Sequence, residues 1–173
     1  MTTDESYIPY LYGRRQSKPL KKRQAALMET LLPRLAVPDL KGPLNPGALF
    51  PDKDEVQLEI GFGGGEHLAA LAAARPDVGF IGAEPFVNGV GKLLVHVDNA
   101  SLENVRIHFG DARPLMEALP SGALSRMFVL FPDPWPKKRH FKRRVVSPWF
   151  LQEAARLLKS GGRLRVASDI DDY

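Results

Sequence analysis

The order of apolar and polar positions predicts alternating strands and helices from residue 55 onward. Short apolar runs bounded by glycine, proline or aspartate indicate buried strands, and stretches with apolar residues three and four positions apart indicate helices. The predicted strands cover residues 56–60, 78–84, 105–109, 126–131 and 164–167, and the predicted helices cover residues 65–74, 87–99, 114–119 and 147–159. This alternation predicts an α/β fold, with helices on both faces of a largely parallel sheet in three α/β/α layers.

The first 50 residues follow a different pattern. Residues 1–19 predict an irregular arm that contains three tyrosines, and residues 20–36 predict a helix with leucines on one face. Residues 38–51 include four prolines and predict a loop. We expect one structural domain, in which a basic arm and helix at residues 1–50 precede a ligand-binding body at residues 51–173.

Four glycines join the first body strand to its helix, in the run Glu59-Ile60-Gly61-Phe62-Gly63-Gly64-Gly65. Glycine lets a backbone turn sharply and approach a ligand closely. The dinucleotide fingerprint would need glycine where Glu66 stands. A pyrophosphate also favours a helix start without carboxylates, whereas a sulfonium and an α-amino group favour Glu59 nearby. The loop therefore indicates S-adenosylmethionine, and a dinucleotide-dependent oxidoreductase is disfavoured.

Two further carboxylates follow the next two strands. Glu84 closes the second strand, where a carboxylate can accept hydrogen bonds from both ribose hydroxyls. Asp111 follows the third strand, where an acid or its neighbouring backbone can meet the adenine amino group. Either residue alone is more often a helix cap. Together with Glu59 and the glycine loop, they predict one cofactor site at the carboxyl ends of the strands.

A proline-rich stretch, Phe131-Pro132-Asp133-Pro134-Trp135-Pro136-Lys137-Lys138-Arg139-His140, follows the fourth strand. Alternate prolines fix φ and remove backbone donors, so we expect a stiff extended loop. Asp133 can hydrogen-bond a base edge, and Trp135 can stack on a base or anchor the loop. The stretch therefore predicts a site that handles a nucleotide, with a solvated proline-rich loop as the plainer alternative.

Charge is concentrated in two basic segments. Residues 14–23 and 137–144 each hold six Lys or Arg, so the other 12 of the 24 basic residues face 20 acidic ones, a net charge of −8. An acidic body with two basic segments indicates a polyanionic partner. The 173 residues include no cysteine and no run of transmembrane length, and no His, Asp and Glu cluster has metal-ligand spacing. We therefore expect no metal and no membrane partner.

These motifs together resemble the bacterial tRNA (guanine-N7)-methyltransferase family, whose members are class I S-adenosylmethionine-dependent methyltransferases with a Rossmann-like fold. The resemblance rests on residues 58–65, 82–84, 110–112, 131–140 and 142–144, and it spans residues 55–169. It implies methyl transfer from S-adenosylmethionine to N7 of guanine 46 in the tRNA variable loop. It also implies a cytoplasmic enzyme whose partner is tRNA, as a monomer or a homodimer.

The resemblance also implies roles for particular residues. Glu59, Gly61, Gly63, Gly65, Glu84, Asp111 and Asp133 would contact the cofactor, with Asp133 also the active-site acid. Lys137 and Asp169 would contact the substrate, and we expect Arg139, Arg143 and Arg144 to hold tRNA phosphates. His67 and His96 are expected to be ordinary helix residues, and Trp149 a core residue.

Two alternatives to this function stay open. One is a methyltransferase that modifies an exocyclic amine of a nucleic acid, because such enzymes place an acid or Asn, a proline and an aromatic residue in a comparable loop. The other is a catalytically inactive RNA-binding subunit that keeps the cofactor fold. Because the family carries two more strands and a Thr-x-Phe-Glu-type motif, we also expect the chain to lack its natural C-terminus.

Overall fold

A five-stranded, all-parallel sheet forms the centre of the computed structural model, which describes residues 16–171 and 173. Its strands are β1 (Glu55–Ile60), β2 (Val78–Ala83), β3 (Val105–His108), β4 (Leu124–Leu130) and β5 (Leu158–Ala167). They lie in the order β3-β2-β1-β4-β5, so the strand order reverses between β1 and β4. Ligands of such sheets bind outside the carboxyl ends of the strands at the reversal.

Helices cover both faces of the sheet. They are α1 (Lys22–Thr30), α2 (Leu32–Leu35), α3 (Pro46–Leu49), α4 (Glu66–Ala74), α5 (Val87–Ala100), α6 (Ala112–Ala118) and α7 (Pro148–Leu157). One buried cluster joins α4 and α5 to β2 and β3, through Leu68, Leu93 and Phe80 among others. A second cluster joins α6 and α7 to the opposite face of β1 and β4. The predicted three-layer α/β/α architecture is confirmed.

The predicted helix at residues 20–36 is interrupted. It breaks at Leu31 into α1 and α2, because Pro33 lacks a backbone N–H and its ring clashes with the preceding turn. The predicted apolar face still points inward, since Leu27, Leu31 and Leu35 join the cluster under α5. The arm residues Tyr7, Tyr10, Tyr12, Arg14 and Arg15 lie outside the described residues.

The start of β5 and the loop at residues 38–51 also differ from the sequence prediction. Strand β5 begins at Leu158, six residues earlier than predicted, because the glycine-rich run at residues 159–162 continues the strand. Gly161 adopts φ 74° there, a conformation open to glycine, and the pairing of β4 with β5 shifts register near Leu124. The predicted proline-rich loop contains the short helix α3, whose N-cap Asn45 was not recognised from the sequence.

Among residues 16–171, no helix combines the length and the apolar character needed to cross a bilayer. The same part of the chain contains no group of three or more His, Asp or Glu side chains arranged to hold a metal ion.

Helix α7 begins as predicted, because the Ser147 hydroxyl accepts a hydrogen bond from the Phe150 N–H at 3.2 Å. Trp149, predicted as a core residue, packs against the cluster beneath α7.

Candidate active site

The glycine loop after β1 has a backbone that only glycine adopts readily. Gly61, Gly63 and Gly65 have φ values of 69°, 56° and 78°, in the left-handed region. A Cβ atom added at Gly65 would lie 2.6 Å from a carbon of Leu93, so this glycine is required for packing. At Gly61 and Gly63 it would meet no protein atom within 4 Å. The loop thus presents bare backbone to open space at the carboxyl edge of the sheet, as a cofactor cradle would require.

Glu84, just past β2, holds this loop in place. Its carboxylate is buried and accepts one hydrogen bond from the Gly63 N–H at 2.8 Å and another from the Phe86 N–H at 2.9 Å. Burial raises the pKa of Glu84, the negative charge of Asp133 raises it further, and the two backbone hydrogen bonds oppose the rise. Each carboxylate oxygen keeps lone-pair capacity for a further donor such as a ribose hydroxyl.

Glu59, near the end of β1, is the most deeply buried carboxylate in the described part of the chain, at 3% exposure. His67 Nδ1, on α4, lies 2.8 Å from Glu59 Oε2. Burial raises the pKa of Glu59, and the hydrogen bond and charge of His67 oppose that rise. His67 therefore contacts one of the predicted cofactor residues, a partner that the expectation of an ordinary helix residue did not include. No sequence signal marks it, because the turn that brings the two residues together depends on the glycine loop.

Asp111 lies where the sequence predicts, but its side chain is already engaged. It is the N-cap of α6 and accepts a hydrogen bond from the Arg113 N–H at 3.0 Å. The Arg113 guanidinium also pairs with it, through Nε at 2.9 Å from both carboxylate oxygens. Asp111 is thus a helix cap in an ion pair, the plainer of its two sequence interpretations. Its contact with the adenine of a cofactor stays a prediction.

Asp133 lies in the loop after β4, at the same edge of the sheet as the glycine loop. Strands β1 and β4 are parallel neighbours, with Ile60 opposite Val129, so both loops leave the sheet side by side. Asp133 is exposed, and its charge acts on Glu84. We had expected an extended loop, but the loop is not uniformly extended. Phe131 and Trp135 adopt left-handed φ values of 51° and 41°. This conformation is strained for residues other than glycine, and such strain often accompanies functional loops.

The basic segment 137–144 begins four residues after Asp133. Most of it, Lys138–Arg143, forms a 3₁₀ helix where we had expected a loop. Its exposed cations are Lys137, Lys138, Arg139 and Lys142. Desolvation lowers the pKa of His140, and the positive charges of Arg143, Arg139 and Lys137 lower it further. The segment therefore carries a positive field that favours a polyanion.

Two aromatic contacts anchor this segment. The Trp135 ring meets the His140 ring edge-on at 5.8 Å between centroids, and the Arg143 guanidinium lies 4.9 Å from the centre of the Trp135 ring. Trp135 is half-buried in these contacts. Of its two predicted roles, base stacking and loop anchoring, the contacts support loop anchoring.

Arg144 lies apart from the exposed cations. It is buried at 8% exposure, and its Nε donates a hydrogen bond to the Pro134 carbonyl at 3.1 Å. Its guanidinium also stacks on Phe141, at 3.9 Å from the ring centre, and on Tyr173 at 4.9 Å. A side chain so enclosed has little surface for a phosphate. Its contacts favour a role in holding the Asp133 loop over the predicted phosphate contact, which stays a prediction.

Asp169 is the remaining predicted substrate residue. It is exposed, two residues beyond the end of β5, at the same carboxyl edge as Asp133. The Phe131 N–H donates to the Ala167 carbonyl at 2.8 Å, which ties the start of the Asp133 loop to the end of β5. The loops and strand ends that carry the predicted cofactor and substrate residues therefore lie at one edge of the sheet.

The sheet order, the open glycine loop and the strand-end carboxylates are those of class I methyltransferases. The family model described as "Putative methyltransferase" matches residues 53–173, and the chain belongs to this family. A tRNA (guanine-N(7)-)-methyltransferase of Caulobacter sp. (strain K31) is 56% identical over 162 residues, which cover 94% of this chain and 71% of that protein. The protein of the same name from Rhodospirillum rubrum is 53% identical over 168 residues, covering 94% and 66%.

A solved structure shares the fold. The 16S rRNA methyltransferase KamB superimposes with a TM-score of 0.52 at 22% identity, over 69% of this chain and 56% of that one. The predicted Rossmann-like fold and the predicted family of S-adenosylmethionine-dependent methyltransferases are confirmed.

Proposed function

We propose that this protein methylates N7 of a guanine in tRNA, at position 46 of the variable loop, in the cytoplasm and as a monomer or homodimer. Relatives more than half identical carry the name tRNA (guanine-N(7)-)-methyltransferase. The observation that carries the proposal is that the Asp133 loop and the glycine loop leave neighbouring strands β4 and β1 at one edge, beside exposed cations. In this arrangement the cofactor pocket at the glycine loop would lie directly beside the cationic surface that binds the polyanion.

The buried carboxylates suit a cationic cofactor. Glu59 would face the α-amino group of S-adenosylmethionine, Glu84 the ribose hydroxyls, and the backbone of Gly61 and Gly63 would lie against the ligand. Asp111 and its neighbouring backbone would meet the adenine. When bound, S-adenosylmethionine supplies a methyl group that passes to the N7 lone pair, while its sulfur keeps the electron pair of the broken bond. The negative edge of the sheet attracts such a cation and disfavours a pyrophosphate.

Asp133 would orient the guanine and stabilise developing charge. Guanine N7 has an in-plane lone pair and no proton, so its attack needs no strong general base. The Asp133 carboxylate would accept hydrogen bonds from guanine N1–H or N2–H₂, which fixes the direction of N7. Because methylation leaves a positive charge on the purine, a nearby carboxylate also stabilises the transition state.

Cations of the basic segment would hold the tRNA. Lys137 and Arg139 lie immediately after the Asp133 loop, and Arg143 follows on the same 3₁₀ helix. Their charges would pair with phosphates near the target base, and Asp169 would approach the substrate from the end of β5.

The test is a methyl-transfer assay on unmodified tRNA with Asp133→Asn and with Asp52→Asn as the matched control. Asp52 is exposed and precedes β1, at the opposite edge of the sheet. We expect Asp133→Asn to lower kcat about 100-fold, as loss of a charge-stabilising group does, with an unchanged melting temperature. Asp52→Asn should match the wild type. Chain cleavage by mild alkali after reduction should map 7-methylguanosine to position 46.

Three results would contradict the proposal. Near-normal turnover by Asp133→Asn would remove Asp133 from the active site. N6-methyladenosine as the product would favour the exocyclic-amine alternative. No transfer to any tRNA would favour an RNA-binding subunit.

A further inference from the structure

Among the residues that the structure describes, Glu59 has one side-chain hydrogen-bond partner, His67. Its cross-strand neighbours are Gly82 on β2 and Phe128 on β4, and neither is charged. The charged or titratable side chains on the elements packed around Glu59 include His67 and Glu66 on α4 and Arg126 on β4. Among these, only His67 acts on Glu59. A buried carboxylate with a single side-chain donor depends strongly on that donor.

The His67 ring is held in the orientation that this contact needs. It meets the Phe128 ring edge-on, with centroids 5.1 Å apart and the planes at 68°. Phe128 is the register partner of Glu59, so the same pair of strands places the carboxylate and the surface that supports the imidazole. Nδ1–H donates to the carboxylate whether or not the ring carries a second proton.

We propose that His67 is a positioning residue that keeps the Glu59 carboxylate ionised and aimed at the cationic amino-acid end of the cofactor, an inference that rests on the proposed function. The contact joins α4 to β1 beneath the glycine loop. His67, in the first turn of the helix after the loop, thus controls the ionisation of Glu59 on the strand before the loop. Binding of S-adenosylmethionine then depends on an imidazole that does not itself touch it.

The direction of the pH dependence follows from the burial of Glu59. A carboxylate binds a cation only when ionised, and burial raises the pKa of Glu59 while His67 opposes the rise. Removing the His67 donor raises that pKa further. Cofactor affinity should then begin to fall at a higher pH than in the wild type as the solution is acidified. Protonation of Glu84 should also weaken cofactor binding at low pH in every variant. The informative quantity is therefore the shift of each variant's pH profile of affinity relative to the wild type.

The experiment is calorimetric titration with S-adenosylmethionine from pH 5.5 to 8.5. His67→Phe keeps a ring against Phe128 but has no donor, and His67→Asn restores an N–H near the position of Nδ1. His96→Gln is the matched control, because His96 on α5 lies 4.0 Å from the exposed Glu66, outside the site. We expect His67→Phe to weaken binding about tenfold at neutral pH, the usual effect of losing one charge-assisted hydrogen bond. Its acidic limb should move to higher pH.

We expect His67→Asn to recover most of the affinity, and His96→Gln to behave as wild type. Glu59→Gln separates the two proposals. If Glu59→Gln binds weakly but His67→Phe keeps the affinity and acidic limb of the wild type, the role of His67 is refuted while the cofactor site stands. The role is also refuted if His67→Asn is as weak as His67→Phe. If Glu59→Gln binds like the wild type, the cofactor contact of Glu59 fails, and the role of His67 with it.

Discussion

For a single residue, burial decides what a cation does. Arg143 and Arg144 are adjacent in the sequence and equivalent in any count of basic residues, yet Arg144 is enclosed by two aromatic rings and bonded to Pro134. A planar guanidinium suits this position because it stacks and donates at once, which a lysine ammonium does not. The conformation of the Asp133 loop therefore depends on a residue that the sequence presents as part of a phosphate-binding run.

Arg144→Met should destabilise the loop without altering phosphate binding. The substitution keeps the aliphatic volume and leaves the Pro134 carbonyl without this donor, which costs about 1–3 kcal/mol in free energy of unfolding. Methyl transfer should fall, while the salt dependence of tRNA affinity should stay that of the wild type. Arg139→Met, at an exposed position, should show the reverse pattern. Denaturant unfolding and binding at several salt concentrations measure the two effects. An equal loss of salt dependence in both variants would restore Arg144 to the phosphate contacts.

The sequence was informative about residues whose role follows from their position at a strand end. Glu59, Glu84 and Asp133 lie at the predicted edge, because parallel strands bring their carboxyl ends together. It was uninformative about partners chosen by tertiary packing. His67 meets Glu59 only after the glycine loop has turned the chain, and no pattern in the sequence encodes that distance.

Among the secondary-structure elements, the glycine loop and helix α5 depend on each other. Helix α5 starts next to the loop, and a Cβ atom added at Gly89 in its first turn would clash with the Gly63 carbonyl oxygen. The Gly63 N–H is bonded to Glu84, which leads into the same helix. The shape of the glycine loop is therefore fixed from both sides, by a hydrogen bond and by a close backbone approach.

Gly89→Ala should weaken cofactor binding although it improves helix propensity. Alanine in a helix interior gains about 0.5–1 kcal/mol over glycine, but here its methyl group displaces backbone that cannot give way as a side chain does. We expect affinity for S-adenosylmethionine to fall at least about tenfold, by calorimetry. Gly91→Ala is the control on the same helix, because its Cβ would meet the side chains of Leu20 and Gln24 at 3.1 and 3.3 Å. Equal affinities in the two variants would contradict the role given to Gly89.

The elements themselves followed from apolar periodicity wherever a run was long and bounded. All five strands and the four body helices were predicted, with shifts at their ends. The failures have local causes. Pro33 divides the N-terminal helix, Gly161 lets β5 begin before its predicted start at residue 164, and Phe131 and Trp135 bend a loop that its prolines suggested was extended. Each depends on backbone conformations that periodicity does not report.

In the molecule as a whole, negative and positive side chains occupy neighbouring parts of the carboxyl edge of the sheet. Buried carboxylates line the mouth of the sheet, and exposed cations lie on the 3₁₀ helix just outside it. The carboxylates therefore attract a cationic cofactor, and the neighbouring cations attract a polyanionic substrate. Long-range attraction of this kind acts mainly on encounter and on salt-sensitive affinity.

Lys138→Gln with Lys142→Gln should reduce the salt dependence of tRNA binding and leave cofactor binding unchanged. Removing one lysine–phosphate pair lowers the slope of log K against log salt concentration by about 0.7–0.9. The matched control is Lys53→Gln with Lys159→Gln, because Lys53 precedes β1 and Lys159 pairs with Glu55 at 3.7 Å, both at the opposite edge. Both double variants remove two positive charges, so net charge alone predicts the same change in slope. A smaller slope only for the first pair would locate the tRNA at the carboxyl edge, and equal slopes would show that it binds elsewhere.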